Sequence, residues 1–264
     1  MIIDSFWQYR DLIWQLSKRD VIGRYRGSFL GLIWSFINPL IMLAIYTFVF
    51  GFIFQARFGV QLTESKADYA VILFAGLIIH QFLAECITRS PSLIINNVNY
   101  VKKVVFPLEV LSWSCMFAAL FHLLVSLLVL LGFYVYLQHT LQWTIVLFPL
   151  VIFPLIILIM GLCWFLSSLG VFIRDISQIM AMLTIILLFL SPVFYSVNNL
   201  PVAFRPFLYL NPLTYIIIQV RDVLLWGKIP NWFGLGIYLL IAIIIALLGY
   251  IWFRRTKHAF ADVL

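Results

Sequence analysis

Charge is scarce in this chain. Only 10% of its 264 residues are charged, while 64% are hydrophobic and the mean hydropathy is +1.09. A soluble domain carries roughly a quarter charged residues, so too little polar surface is available for a free globular protein. No polar stretch is long enough for a second, soluble domain. Apolar runs recur from about Leu30 to about Phe253, which makes a single membrane domain over 1–264 the simplest organisation. The chain has room for about six helical spans of roughly 20 residues each. Met1–Ser28 is not expected to be a cleavable leader, because it mixes charges with aromatics and has no clean apolar stretch before a small-residue cleavage site. Cys86, Cys115 and Cys163 lack CxxC spacing, so neither a disulfide framework nor a zinc site is indicated. They are expected to act as small packing residues.

Catalytic and nucleotide motifs are absent as well. No GxxxxGK[ST] phosphate loop occurs, and Gly227-Lys228 lacks the flanking glycine and hydroxyl that cradle a phosphate. There is no HExxH, carboxylate pair or metal-spaced cluster. His80 and Glu85 fall on one apolar run and His122 on the next, and ionisable groups inside a membrane are functional candidates by default. Glu85, however, has Arg89 four residues on, a helical ion-pair spacing. The histidines read as buried hydrogen-bonding groups rather than a proton relay. The chain is expected to be a conduit without its own motor, and not an enzyme.

What is present is a patterned surplus of positive charge. The 17 basic and 10 acidic residues give a net charge of +7. Because the basic residues gather at the edges of apolar runs, headgroups and topology account for them, and a nucleic-acid partner is not expected. Spans are expected at about Phe29–Phe54, Tyr69–Ile87, Pro107–Leu137, Trp143–Phe172, Ile176–Val193 and Trp232–Phe253. One set of connections carries Arg10, Lys18, Arg19, Arg24, Arg26, Arg89, Lys102, Lys103, Arg174, Arg254, Arg255 and Lys257; the opposite set carries Arg57, Lys66, Arg205, Arg221 and Lys228. The bias predicts that both termini are cytoplasmic, with 254–264 as a cytoplasmic tail.

Two segments depart from plain spans. Asp4–Tyr25, within the pre-membrane region 1–28, reads as an amphipathic helix lying on the membrane, opened by a capping-box-like Ser5-x-x-Gln8. Asp4, Gln8, Asp11, Gln15, Lys18 and Arg19 share one face, Phe6, Tyr9, Ile13 and Leu16 the other, and Trp7 and Trp14 flank them. An ordinary cytoplasmic helix packed on a partner is the alternative. Within the bundle at 29–253, Ser191-Pro192, Asn199-Leu-Pro201, Arg205-Pro206 and Asn211-Pro212 cut the sequence into apolar pieces too short to cross about 30 Å of hydrocarbon. Irregular backbone at that depth needs protein or water around it. We read about Asn198–Trp226 as two re-entrant helices, with a surface loop as the alternative. Aromatics make up 17% of the chain; most fill cores or interfaces, although their faces also suit sliding sugar rings.

Several strings resemble those of permeases of ABC-type polysaccharide exporters. Arg24-Tyr-Arg-Gly-Ser-Phe-Leu-Gly31 with Trp34 and Asn38-Pro39-Leu40 is similar to the start of their first span. Asn99-Tyr-Val-Lys-Lys-Val-Val-Phe-Pro-Leu-Glu-Val110 resembles their inner loop, and Gly170-Val-Phe-Ile-Arg-Asp-Ile176 their second inner turn. Ser191-Pro-Val-Phe-Tyr195 and Asn211-Pro-Leu-Thr-Tyr215 resemble their outer region. The order covers nearly the whole chain and is nearest to O-antigen exporter permeases, with teichoic-acid exporters related and capsule exporters more distant.

The resemblance implies an all-α, type-2 ABC exporter membrane domain in a bacterial inner membrane. Six spans per subunit would form a homodimer around a channel, driven by two copies of an ATPase that binds ATP and Mg. The cargo would be a polysaccharide on a polyprenyl pyrophosphate lipid. Ser92, Asn96, Asn97, Tyr100, Lys102, Lys103, Arg174 and Asp175 would contact the ATPase, although Lys102 and Lys103 also suit lipid headgroups. Arg10, Arg24 and Arg26 would meet the lipid pyrophosphate. Tyr195, Phe207, Tyr209 and Tyr215 would line a channel or periplasmic gate. The competing readings are an ATPase-independent lipid flippase or carrier, and a membrane glycosyl- or acyltransferase.

Overall fold

The computed structural model describes residues 6–53, 66–102, 106–199 and 201–264, with side chains at 51–53, 66, 67 and 198 left aside. Every regular element among them is helical. The main helices are α1 (Arg10–Tyr25), α2 (Trp34–Tyr46), α3 (Lys66–Arg89), α4 (Val98–Val101), α5 (Glu109–Gln138), α6 (Phe148–Phe172), α7 (Ile176–Leu190), α8 (Arg205–Tyr209), α9 (Pro212–Leu224), α10 (Trp232–Thr256) and α11 (Phe260–Val263). In lipid every backbone polar group must be satisfied within the protein, which leaves helices as the natural product of such apolar sequence.

Among the described residues, five helical stretches are long and apolar enough to cross a membrane: Gly31–Phe50, Asp68–Ser92, Glu109–Gln138, Trp143–Phe172 and Trp232–Val263. They match five of the expected spans. The expected fifth span, Ile176–Val193, contains α7, which has 15 residues and at 1.5 Å per residue measures only about 22 Å. The first span is not one uniform helix either. A 3-10 turn at Gly31–Ile33 leads into α2, which carries Pro39, and π-helical turns follow at Thr47–Ile53. Gly27 and Gly31 both have positive φ (87° and 52°), so the chain turns from α1 into α2 through conformations that side chains disfavour.

α3 is the hub of the bundle, in contact with α2, α5, α6, α7 and α9, and most of its side chains are buried. The most extensive pairing is between α6 and α10. A β-carbon on Gly161 would stand 2.6 Å from the Ala246 Cα, and one on Gly249 would strike the Gly161 carbonyl. Small residues let the two backbones meet, which is how apolar helices gain packing in lipid. By contrast, α2 and α7 leave large apolar side chains exposed, among them Phe36, Leu40, Met182, Ile185 and Phe189.

α1 packs along α5. Ile13 and Leu16 are buried, and the Phe6 ring lies 4.9 Å from that of Trp113. Gln8, Asp11, Gln15, Lys18 and Arg19 are exposed, as are Trp7 and Trp14. The expected two-faced pattern is therefore present, with the apolar face seated on this chain's own α5. Asp4 and Ser5 of the expected capping box lie outside the described residues. Cys86, Cys115 and Cys163 are buried as free thiols on α3, α5 and α6.

Candidate functional site

At the end of the bundle that carries α1, charge converges on Glu85, whose side chain is 6% exposed. Arg24 Nη2 donates to Glu85 Oε1 at 2.8 Å and Arg89 Nη1 to the same oxygen at 3.2 Å. His122 Nδ1 lies 3.0 Å from Glu85 Oε2 and also 3.0 Å from Arg24 Nη1. One nitrogen cannot donate to the carboxylate and accept from the guanidinium at once. Donation to Glu85 leaves Nε2 free to accept from the Tyr25 hydroxyl at 3.4 Å, and the Arg24 Nη1 approach to Nδ1 is then a contact between two donors rather than a hydrogen bond. Burial raises the Tyr25 pKa against the opposing Arg24 charge, which keeps the phenol a neutral donor. Arg89 Nη2 also clasps both oxygens of Asp20 at 2.6 and 2.5 Å. The expected Glu85–Arg89 pair is thus the middle of a network joining α1, α3 and α5. Of the residues expected at a lipid pyrophosphate, Arg24 is engaged in this network, Arg10 faces Asp11 and the Trp7 ring, and Arg26 is exposed.

The connection after α3 lies beside this network. Ser92 Oγ donates to the Arg89 carbonyl, and the Asn97 amide to that of Leu93. Arg19 Nη1 donates to the Tyr100 hydroxyl at 2.8 Å, and the Tyr100 ring stacks on Phe106 at 4.2 Å. Asn96 and Lys102 are exposed, while Lys103 lies outside the described residues. A cavity of about 530 Å³ separates α1 from this connection, lined by Arg19, Asp20, Arg24, Arg89, Asn96 and Asn97. The turn between α6 and α7 abuts the same region. A β-carbon on Gly170 would strike the Pro91 carbonyl, so the two connections that sequence reading grouped are in contact. Arg174 and Asp175 are exposed there. The C-terminal tail closes the group: Lys257 Nζ donates to Glu109 Oε1 at 2.8 Å, and Phe260 is fully buried against Phe253 and Phe172.

At the opposite end, the proline-rich stretch folds as a turn, two 3-10 turns, α8 and α9. Asn211 caps α9 by accepting from the Leu213 N–H, and its amide donates to Ser191 Oγ at 2.9 Å. The Ser191-Pro and Asn211-Pro strings, twenty residues apart, are therefore joined by a hydrogen bond. Arg221 is fully buried. Its Nε, Nη1 and Nη2 donate to the carbonyls of Ile72, Pro192 and Val193 at 2.9, 2.5 and 2.9 Å, pinning α9 to α3 and to the turn after α7. Tyr195 donates to the Phe189 carbonyl and Tyr215 to the Asn231 carbonyl, while Phe207 and Tyr209 are exposed. Among the described residues, no group of three or more His, Cys, Asp or Glu is arranged to hold a metal ion.

Residues 11–225 match the family model for ABC-2 type transporters. The chain is a member of the ABC-2 transporter membrane family. Its relatives include an O-antigen export system permease of Klebsiella pneumoniae, 28% identical over 96% of this chain and 95% of the relative. Another of the same name, from Myxococcus xanthus, is 26% identical over 87% and 86% of the two lengths. The polysialic acid transport protein KpsM of Escherichia coli is 23% identical over 92% and 93%.

In this ABC transporter permease, sequence reading named Arg24, Glu85 and Arg89 but did not foresee that Asp20 and His122 complete their network. It counted Arg221 as an outer-loop charge. Buried against backbone carbonyls, Arg221 carries no information about topology. The available signal was its place in the apolar run Leu213–Val223, where a buried ionisable group is the natural expectation. His80 is a buried hydrogen-bonding group, its Nε2 2.9 Å from the Thr184 carbonyl.

Proposed function

We propose that this permease is the membrane-spanning subunit of an ATP-driven exporter of a polysaccharide carried on polyprenyl pyrophosphate, with O-antigen the favoured cargo. The observation that carries the reading is similarity over 86% or more of both lengths to relatives named for O-antigen export and polysialic acid transport. A teichoic-acid or capsule polymer is the alternative cargo.

In this reading α7 and the Ser191–Val193 turn together make a sixth span, both termini are cytoplasmic, and α8 and α9 form a re-entrant periplasmic gate. The positive-inside bias supports that orientation. A separate ATPase, in two copies and holding ATP and Mg, seats on the connection around Ser92–Lys102 and on Arg174 and Asp175. Because α1 meets that connection through Arg19–Tyr100 and meets α3 through Asp20–Arg89, motion there is passed to α1 and α3. Arg10 and Arg26, with solvent-facing guanidinium groups, meet the lipid pyrophosphate. The exposed apolar faces of α2 and α7 meet a second copy, since one subunit would hardly enclose a sugar chain.

Deleting the gene should trap polymer in the cytoplasm, and this chain with its ATPase should restore surface polymer. An ATPase disabled in hydrolysis should not restore it. Normal surface polymer in the deletion strain overturns the reading; restoration without any ATPase favours the flippase alternative.

A further inference from the structure

Two cavities meet at the same pair of arginines. The cavity of about 530 Å³ behind α1 and a second, of about 350 Å³ between α3 and α7, both have Arg24 and Arg89 in their walls. Asp20 lines the first and not the second, while Glu85 lines the second and not the first. The second cavity also carries His80 and Gln81 of α3 and Thr184 of α7 in its wall. At the helical rise, Gln81 stands about 12 Å along α3 from Arg89.

The arginines are held by a carboxylate from each cavity. Arg89 Nη2 donates to both Asp20 oxygens and its Nη1 to Glu85, and Arg24 Nη2 donates to the same Glu85 oxygen. The boundary is thus closed by paired charges. The contacts made by α1 are the ones water can reach: the Asp20 side chain is 29% exposed and that of Arg24 39%, against 6% for Glu85. Partly exposed pairs exchange with water at little cost, whereas a buried carboxylate is costly to leave alone. If α1 moves off, Glu85 keeps Arg89 and His122 as partners. Arg19, next to Asp20, donates to Tyr100 of the connection after α3, so a shift of that connection acts on Asp20. Beyond Tyr25, open space around Gly27 and Gly31 leaves the end of α1 room to pivot.

We propose that α1 and α3 close a gate at Arg24 and Arg89, latched by Asp20. Release of Asp20 frees the end of α1 to lean away with Arg24, while Glu85 retains Arg89. The two cavities then join into one polar path from the α1 end of the bundle to the face between α3 and α7. This barrier is separate from the α8–α9 segment at the opposite end, and it is the same whichever polymer is carried.

The test uses sealed inner-membrane vesicles that hold the permease with its ATPase, without ATP. A charged, membrane-impermeant methanethiosulfonate is added, and labelling of Gln81→Cys is followed. The reagent goes to whichever face labels Asn96→Cys, an exposed position lining the cavity behind α1. The native thiols are buried, and the chain without added cysteines sets the background. Gln81→Cys should label slowly with Asp20 intact and about tenfold faster with Asp20→Asn. Asp20→Glu, which restores a carboxylate, should return the slow rate. Phe6→Ala, which loosens the other end of α1 at Trp113, should also leave the rate slow. Equal rates for Asp20 and Asp20→Asn, no slowing by Asp20→Glu, or equal acceleration by Phe6→Ala overturns the gate. Because neither ATP nor polymer is present, failure of the polysaccharide reading leaves this result standing.

Discussion

Gly76 lies against the Arg221 guanidinium so closely that a β-carbon there would stand 2.7 Å from Nη2. Arg221 in turn reaches three carbonyls on two other segments. Gly76→Ala should therefore displace the fork and loosen α9, at a cost of about 1–3 kcal/mol. The thermal midpoint in detergent should fall and export should drop with it. Gly23→Ala, at a position open to solvent on α1, is the matched control and should raise helix propensity slightly. Equal midpoints for wild type and Gly76→Ala would contradict the close approach.

Glu85 accepts from two arginines and faces His122, so Glu85→Ala leaves like charges together at a buried position. Because Arg24 and Arg89 keep partial contact with solvent, the expected loss is about 1–3 kcal/mol rather than the larger cost of a fully dry pair. A double-mutant cycle with Arg24→Ala should return a coupling energy of about 1 kcal/mol or more. Additive losses would mean that Arg24 is free for another role.

Charge reversal at Arg10 and Arg26 should separate the proposed lipid recognition from folding, whereas reversal at Arg24 should disturb both. Arg10→Glu with Arg26→Glu should reduce export about a hundredfold or more, through the loss of two charge-assisted phosphate contacts of roughly 1.5–3 kcal/mol each. Their thermal midpoint should stay within a few degrees of wild type. Full export by the double variant would remove both residues from the entrance.

Replacing residues 97–102 with a Gly/Ser stretch should leave ATP hydrolysis by the partner running while export stops, measured as polymer exported per ATP consumed. Tyr100→Phe removes the Arg19 hydrogen bond and keeps the Phe106 stacking, so its effect should be smaller. An unchanged export-to-hydrolysis ratio in the segment replacement would move the coupling site elsewhere.

The C-terminal tail is a stability element. Phe260→Ala removes a fully buried ring and should cost about 3 kcal/mol. Lys257→Ala breaks a partly exposed pair with Glu109 and should cost under about 1 kcal/mol. Thermal unfolding of the two variants gives the ranking directly, and the reverse order would show that the tail is held by charge.

Much of this architecture was legible in one dimension because hydropathy and charge position act locally. Long apolar runs must be helices in lipid, and five of them proved long enough to cross. The two faces of α1 followed from residue spacing alone, and Glu85–Arg89 from a four-residue step along one helix. What the linear order could not show was which distant segments meet. Asp20 with Arg89, Asn211 with Ser191, Arg221 with Ile72, and Asp68 with Gln138 all arise from packing between helices. A buried polar group takes whichever partner the surrounding helices bring within about 3 Å. Local pattern was enough for a helical membrane protein with charged connections and a broken stretch before its last helix, because hydropathy and charge act over a few neighbouring residues. That one arginine in that stretch is internal follows only from packing, which brings three backbone carbonyls from two other segments around its guanidinium.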